Sequence, residues 1–287
     1  MNAALLASAA VHISIFLVVL AVGLRAQIAD AMYLFREPRL LLPSILAMNV
    51  VMPIGVALIV ALFGLHPAVK VALIALAVSP VPPFLPGKEL KLVSPQHEAN
   101  VYGLLVATST LAIIIVPLTV ALLANVFARN VGITPLAVAR IVSLTVLLPL
   151  GVGMALRRWF PATERLGPPI GMIGTVLLVL VLALLIARLW PSMMELVGDG
   201  TLLAIGAVTL IGLAVGHMLG GPSEDGRTVL ALATASRHPA VALAIASQAA
   251  EELAPAAIVL ALLVGAVAAA PYTAWRKRMR VRRAAAA

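Results

Sequence analysis

The stretch from residue 78 to residue 91 reads VSPVPPFLPGKELK and interrupts a chain that is otherwise strongly apolar. It holds four prolines within seven residues: Pro80, Pro82, Pro83 and Pro86. Each proline lacks a backbone donor and clashes with the preceding turn, so no continuous helix can pass through this stretch. Three charged residues follow the prolines: Lys88, Glu89 and Lys91. The stretch therefore predicts irregular backbone with charges beside it.

The composition around this stretch is that of a membrane protein. Of the 287 residues, 63% are hydrophobic and 11% are charged, whereas soluble domains have roughly 45–50% apolar and about 25% charged residues. This excludes an ordinary soluble enzyme, and the high hydrophobicity excludes a disordered chain. The absence of cysteine excludes disulfide scaffolds, thiolate metal sites and cysteine nucleophiles.

Apolar runs long enough to cross a bilayer predict about nine transmembrane helices, since a hydrocarbon core of about 30 Å needs roughly 20 helical residues. The predicted spans are 4–24, 40–63, 67–94, 97–125, 134–156, 168–189, 200–220, 223–250 and 253–275. The third and the eighth are interrupted. Almost nothing remains for a soluble domain, so we expect one all-α polytopic membrane domain over residues 1–287, ending in a basic cytoplasmic tail over 276–287.

The charges predict the orientation of these spans. The tail carries six basic residues: Arg276, Lys277, Arg278, Arg280, Arg282 and Arg283. The positive-inside rule places such a cluster in the cytoplasm. Nine spans then put the N-terminus outside, and the acidic residues Glu195, Asp199, Glu251 and Glu252 fall on that outer side. We expect a multi-pass protein of the cell (inner) membrane whose tail is a topology signal, with no nucleic-acid partner.

A second interruption lies in the eighth span, where residues 232–244 read LATASRHPAVALA. Pro239 breaks the apolar run, with Arg237 and His238 beside it. Paired interruptions in two halves of a membrane chain are typical of transporters built from inverted repeats, which bind substrate near the bilayer midplane. Two alternatives stay open at this point. The first interruption could be a surface loop, and Arg237 with His238 could form an interfacial cluster.

Several short motifs along the chain occur in the order of one transporter family. They are Met52-Pro53, Ser79-Pro80 through Pro83, Thr108-Ser109-Thr110-Leu111 with Pro117, the Pro149–Gly153 stretch, and the Arg237–Ala246 stretch. In this order the chain resembles the bile acid:sodium symporter family. The resemblance implies two inverted five-helix repeats with two broken, crossing helices. The chain would be a divergent member that lacks the first helix and keeps nine.

The same resemblance implies a division of the spans into two parts. A core domain would comprise the spans of about 40–125 and 200–275, including both broken helices. A panel would comprise the spans of about 4–24 and 134–189 and would move against the core.

The positions at which the family binds sodium carry other residues in this chain. Lys88 and Glu89 stand where the family has a Ser-Asn pair after the first interruption. Further substitutions affect the other ligand positions: Met48, Tyr102, Val106 and Ala233. Lys, Met, Val and Ala offer none of the hard oxygen ligands that sodium prefers, so the sequence argues against sodium coupling. We hypothesise that a fixed cation, from Lys88 or Arg237, takes the place of sodium.

The sequence thus predicts a secondary active transporter of a small organic anion, with the lipid bilayer as its surroundings, no resident cofactor, no metal site and no catalytic residue. The candidate substrate and coupling residues are Lys88, Glu89, Lys91, Glu98, Asn100, Ser109, Arg237 and His238. Glu89, His97, Glu98 or His238 could carry a proton in place of sodium.

Two other functions stay open. One is an intramembrane enzyme, which would need Glu89, His97, Glu98 and His238 to converge within a few ångströms. The other is a membrane sensor or channel subunit without transport activity. The sequence does not specify the substrate, the direction of transport or the oligomeric state.

Overall fold

The fold is a bundle of α-helices. The computed structural model describes residues 3–126, 134–249 and 251–286, and these ranges contain no β-strand. The ten principal helices are α1 (Ala3–Gly23), α2 (Pro38–Leu62), α3 (Pro67–Val78), α4 (Glu98–Val126), α5 (Pro135–Trp159), α6 (Gly167–Glu195), α7 (Thr201–Leu219), α8 (Glu224–Ala235), α9 (Pro239–Ala246) and α10 (Ala254–Ala286). Short helices cover Ile28–Ala31, Tyr33–Arg36 and Pro86–Glu89. Residues 250 and 287, at the ends of the predicted eighth span and tail, lie outside the described ranges.

The helices agree with the predicted spans. Within the described residues, seven helical segments are long and apolar enough to cross a membrane, and two shorter apolar helices, Ala9–Gly23 and Pro67–Val78, accompany them. The prediction of an all-α polytopic membrane protein is therefore confirmed. The number nine stays a prediction, because seven segments of the described residues meet these criteria of length and hydropathy.

Both predicted interruptions are present, and proline chemistry explains where they fall. Helix α3 ends at Val78, and Ser79 is extended, with φ −75° and ψ 150°. Helix α8 ends at Ala235, and the chain stays extended until α9 begins at Pro239. Proline fits the first turn of a helix, where its missing N–H has no intrahelical partner. Each interruption thus ends one helix and sets the start of the next.

Two segments of wider helical turn lie in α2 and α5. Leu46–Val51 and Ser143–Leu147 are π-helical, and a proline follows each of them closely: Pro53 and Pro149. A proline inside a helix removes one hydrogen bond and clashes with the carbonyl four residues earlier, which a wider turn relieves. These wider turns leave backbone carbonyls and side chains of mid-helix residues available for contacts with other helices.

The helices pack closely in two places through glycine. Helix α1 packs along α5 and α6, and a Cβ atom on Gly153 of α5 would lie 2.6 Å from the carbonyl oxygen of Leu20. Helix α7 packs along α8, and a Cβ atom on Gly216 would lie 2.4 Å from the carbonyl oxygen of Leu230. Both distances are shorter than van der Waals contact, so only glycine allows these helices to approach so closely.

We expect Gly216→Val to lower the stability of the protein by about 1–3 kcal/mol, because the added side chain forces α7 away from α8. Gly206 lies on the same helix, and a Cβ atom there would meet nothing within 4 Å, so Gly206→Val is the matched control. Thermal unfolding in detergent, followed by tryptophan fluorescence, measures both variants. Equal melting temperatures for the two variants would contradict this account of the packing.

Candidate functional site

The two interrupted helices meet each other at their breaks. The backbone N–H of His238 donates a hydrogen bond to the carbonyl oxygen of Pro80 over 2.8 Å. The side chain of Arg237 donates from Nη1 to the carbonyl oxygen of Ser79 over 3.2 Å. Residues separated by more than 150 positions in the sequence are therefore joined by two hydrogen bonds, one from the backbone and one from a guanidinium.

Arg237 also connects this crossing to a third helix. Its Nη2 donates to the carbonyl oxygen of Met48, 3.2 Å away in the π-helical segment of α2. The side chain is buried, with 6% of the residue exposed, and Nε has no hydrogen-bond partner. Within the described residues no carboxylate forms an ion pair with Arg237. Backbone carbonyls, together with the carbonyl end of α3, thus stabilise this cation.

His238 connects the crossing to α5. Its Nε2 lies 3.1 Å from the hydroxyl oxygen of Thr145, and that hydroxyl donates its own hydrogen to the carbonyl oxygen of Ile141 over 2.7 Å. The hydroxyl oxygen therefore accepts from His238, which assigns a proton to Nε2. Nδ1 is buried and has no partner. His238 is fully buried and holds the second interruption against the π-helical segment of α5.

Glu89 lies apart from this crossing, in a different buried environment. It belongs to the short helix Pro86–Glu89, which packs against α1, α4 and α8. Only 1% of the residue is exposed, and Oε1 has no hydrogen-bond partner. The neighbouring predicted cations differ, because Lys88 and Lys91 both point to the exposed surface. The buried acid therefore stands between two exposed bases in the sequence.

Two further predicted residues, His97 and Glu98, lie at the end of the bundle where α1 stops and α4 and α8 start. Glu98 lies 3.6 Å from Arg25. His97 lies 3.4 Å from Asp225, whose carboxylate also accepts hydrogen bonds from the backbone and hydroxyl of Ser94 over 2.8 Å and 2.7 Å. These contacts join the segment after the first interruption to the first turn of α8.

Asn100 and Ser109 lie on α4 at two different depths. Asn100 is nearly buried and lines a cavity of about 10 Å³ together with Ser44 and Gly226, which is room for about one water molecule. Ser109 is fully buried, and its hydroxyl has no hydrogen-bond partner. Neither side chain has a hydrogen bond to Arg237 or His238.

The structure thus brings together Arg237, His238 and Pro80, with Pro239 starting the next helix. It does not bring Lys88 or Lys91 to the crossing, so of the two cations considered as a replacement for sodium, Arg237 is the one located there. Pro82, Pro83 and Pro86 are buried in the first interruption. The four side chains that an intramembrane enzyme would need have separate surroundings. In the described ranges, no group of three or more His, Asp and Glu residues could hold a metal ion.

The sequence does not reveal how several residues contribute to the crossing. Ser79 and Met48 contribute backbone carbonyls, which no side-chain motif reveals. Thr145 contributes the side-chain hydroxyl that contacts His238. The available signal is its position four residues before Pro149. A proline has no N–H to donate to the carbonyl four residues earlier, so the helix is irregular at that point. Asp225 was not singled out, although it is one of few acids on an otherwise basic side of the chain.

The predicted basic tail includes a residue that is buried among the helices. Helix α10 continues through the basic residues, and Arg276 is buried, with 4% exposed. It lies 2.5 Å from the carboxylate of Glu224 and donates to the hydroxyl of Thr228 over 2.7 Å. A further hydrogen bond runs from Nη2 to the carbonyl oxygen of Glu224 over 2.7 Å. Arg276 is therefore part of the packing of α10 against α8, and Arg280 adds a hydrogen bond to the carbonyl oxygen of Lys91.

A comparison with models of known protein families finds a match over much of the chain. The model of the sodium bile acid symporter family matches residues 12–190, which is more than half of the chain. The matched region covers the second half of α1, all of α2 to α5 and most of α6, and it includes the first interruption and both π-helical segments. No curated protein matches the chain.

Proposed function

The chain belongs to the sodium bile acid symporter family, and from this premise we propose that it is a secondary transporter of a small organic anion in the cell membrane. The observation that supports this most directly is the crossing of the two interruptions, where Arg237 and His238 donate hydrogen bonds to Ser79 and Pro80. Broken helices that meet in this way are typical of transporters that bind substrate within the membrane.

The movement that we propose is a displacement of two groups of helices. The panel comprises α1, α5 and α6, because α1 packs along both of the others. The core comprises α2–α4 and α7–α10 and contains the crossing. The hydrogen bond between His238 and Thr145 joins core to panel. It must break and re-form if the substrate is to be exposed to one side of the membrane and then to the other.

The substrate that fits this site is an anion. Arg237 carries a buried positive charge that no carboxylate of the described residues neutralises, and its Nε has no hydrogen-bond partner. A carboxylate or sulfonate oxygen can accept from Nε, and such charge-assisted hydrogen bonds are about twice as strong as neutral ones. The net charge of +9 lies mainly at the membrane surface and supports the proposed orientation, with the N-terminus outside and the C-terminus in the cytoplasm.

Sodium is not required in this proposal. The guanidinium of Arg237 already occupies the carbonyl oxygens of Ser79 and Met48, which are groups of the kind that coordinate sodium in broken-helix transporters. A fixed cation holds the crossing together in every cycle, whereas a sodium ion would have to bind and leave. The energy for transport must then come from another gradient.

We expect uptake to be equal in sodium and in potassium at a fixed pH. The measurement is counterflow of a radiolabelled anion into proteoliposomes, with pyruvate, 2-hydroxyethanesulfonate and taurocholate as the three probes. Liposomes without protein are the control. Strict dependence on sodium would overturn the role of Arg237 as its replacement, and absence of counterflow with all three probes would contradict an organic-anion transporter.

A further inference from the structure

Glu89 is a buried acid at the boundary between the two proposed groups of helices. The short helix that carries it packs against α1 of the panel and against α4 and α8 of the core. Its residue is 1% exposed. A displacement of the panel against the core would therefore change the surroundings of this carboxyl group more than those of a residue inside either group.

The carboxyl group has no counter-charge. The titratable and charged residues on the elements packed against it, and beside it in sequence, are His12, Glu98, Tyr102, Glu224, Asp225, Arg227, Lys88 and Lys91. Glu98 pairs with Arg25, Asp225 with His97, and Glu224 with Arg276 and Arg227. Lys88 and Lys91 are exposed. None of the described basic side chains forms an ion pair with Glu89, and Oε1 accepts no hydrogen bond.

Burying a carboxylate without a cation or a hydrogen-bond donor is energetically very unfavourable. The protonated carboxyl group is neutral, so its burial costs much less. The arrangement described here therefore suits a protonated Glu89. An arrangement in which the panel has moved and water reaches the group suits the ionised form. A group whose protonation differs between two arrangements couples a proton to the change between them.

We propose that Glu89 binds the proton that drives transport, so that one proton and one anion cross the membrane together in each cycle. The carboxylate takes up the proton on the outer side, stays neutral while buried, and releases the proton when water reaches it on the inner side. This inference rests on the proposed transport function. Among the four groups considered as proton carriers, His97, Glu98 and His238 each have a hydrogen-bond or ion-pair partner, and Glu89 Oε1 has none.

The test compares Glu89→Gln with Glu252→Gln, since Gln keeps the shape of the side chain and Glu252 is an exposed acid between α9 and α10. In proteoliposomes that are one pH unit more acidic outside, one coupled proton supports about tenfold accumulation of the anion. We expect this accumulation in the wild type and in Glu252→Gln. In Glu89→Gln accumulation is lost, while counterflow at equal pH persists. Accumulation that survives in Glu89→Gln would overturn the proposal.

A second measurement is independent of transport. The infrared spectrum of the purified protein at neutral pH contains a carbonyl band for each protonated carboxyl group, and we expect one such band to disappear in Glu89→Gln and to remain in Glu252→Gln. Its absence from the wild type would overturn proton binding by Glu89. If the band is present but no probe shows counterflow in the wild type, the proposed function fails and proton binding stands. Glu89→Asp, which keeps the carboxyl group, checks that a loss in Glu89→Gln is not misfolding.

Discussion

Arg237→Ala is expected to abolish anion counterflow and to lower the melting temperature of the purified protein. The guanidinium donates to the carbonyl oxygens of Ser79 and Met48, and its removal leaves both buried acceptors without that donor. A buried acceptor without a partner costs about 1–3 kcal/mol, so for two acceptors we expect a loss of about 2–6 kcal/mol in unfolding free energy. The same change removes the positive charge that we propose attracts the substrate.

Two further variants show which property of Arg237 matters. Arg237→Lys keeps the charge, but one ammonium group cannot reproduce the planar fork that reaches two carbonyls at fixed angles. We expect this variant to keep part of the stability. Its counterflow rate should be at least about tenfold lower than that of the wild type, which corresponds to about 1.4 kcal/mol. Arg188→Ala, at an exposed position of α6, is the control. Counterflow and stability at the wild-type level in Arg237→Ala would refute the role of this residue.

The interruptions of the fold could be predicted because proline acts locally. Pro80 and Pro239 end and start helices for reasons contained in a few neighbouring residues, and the predicted positions agree with the structure. The contact between the two interruptions was expected only from the order of motifs. Its chemistry, with backbone carbonyls as acceptors for Arg237, depends on tertiary packing that no local pattern encodes.

The division of the charged residues between buried and exposed positions could not be predicted. Lys88, Glu89 and Lys91 are close together in the sequence, and all three are among the candidate substrate and coupling residues. A short helix places neighbouring residues about 100° apart, so its packing against α1, α4 and α8 buries Glu89 and leaves both lysines outside. The orientation of this short helix depends on how the irregular backbone after Pro80 packs against the neighbouring helices.

The basic tail illustrates the same limit. Counting charges predicts correctly that positive residues gather at this end of the chain, but it treats them as equivalent. The continuation of α10 sets their directions. Arg276 faces α8, whereas Lys277 and Arg278 are exposed. The local signal for this difference was Glu224, an acid on a side of the chain that is otherwise basic.

Arg276→Ala is therefore expected to destabilise the protein strongly, while Arg278→Ala has almost no effect. Arg276 is 4% exposed and contacts the carboxylate of Glu224 and the hydroxyl of Thr228. Its guanidinium carbon also lies 5.0 Å from the centre of the Trp275 ring. Removing one partner of a buried ion pair costs about 3–5 kcal/mol. Because Glu224 is partly exposed and keeps a contact with Arg227, we expect about 2–4 kcal/mol.

A double-mutant cycle distinguishes the interaction between Arg276 and Glu224 from the general effect of shortening either side chain. If Arg276 acts mainly through Glu224, the loss in Glu224→Ala/Arg276→Ala is smaller than the sum of the two single losses by about 0.5–3 kcal/mol. Additive losses, or an equal loss in Arg278→Ala, would contradict the network. Arg276 and Arg237 lie at or just beyond opposite ends of α8, so in the proposed division the pair of Arg276 and Glu224 would keep α10 together with α8 in the core.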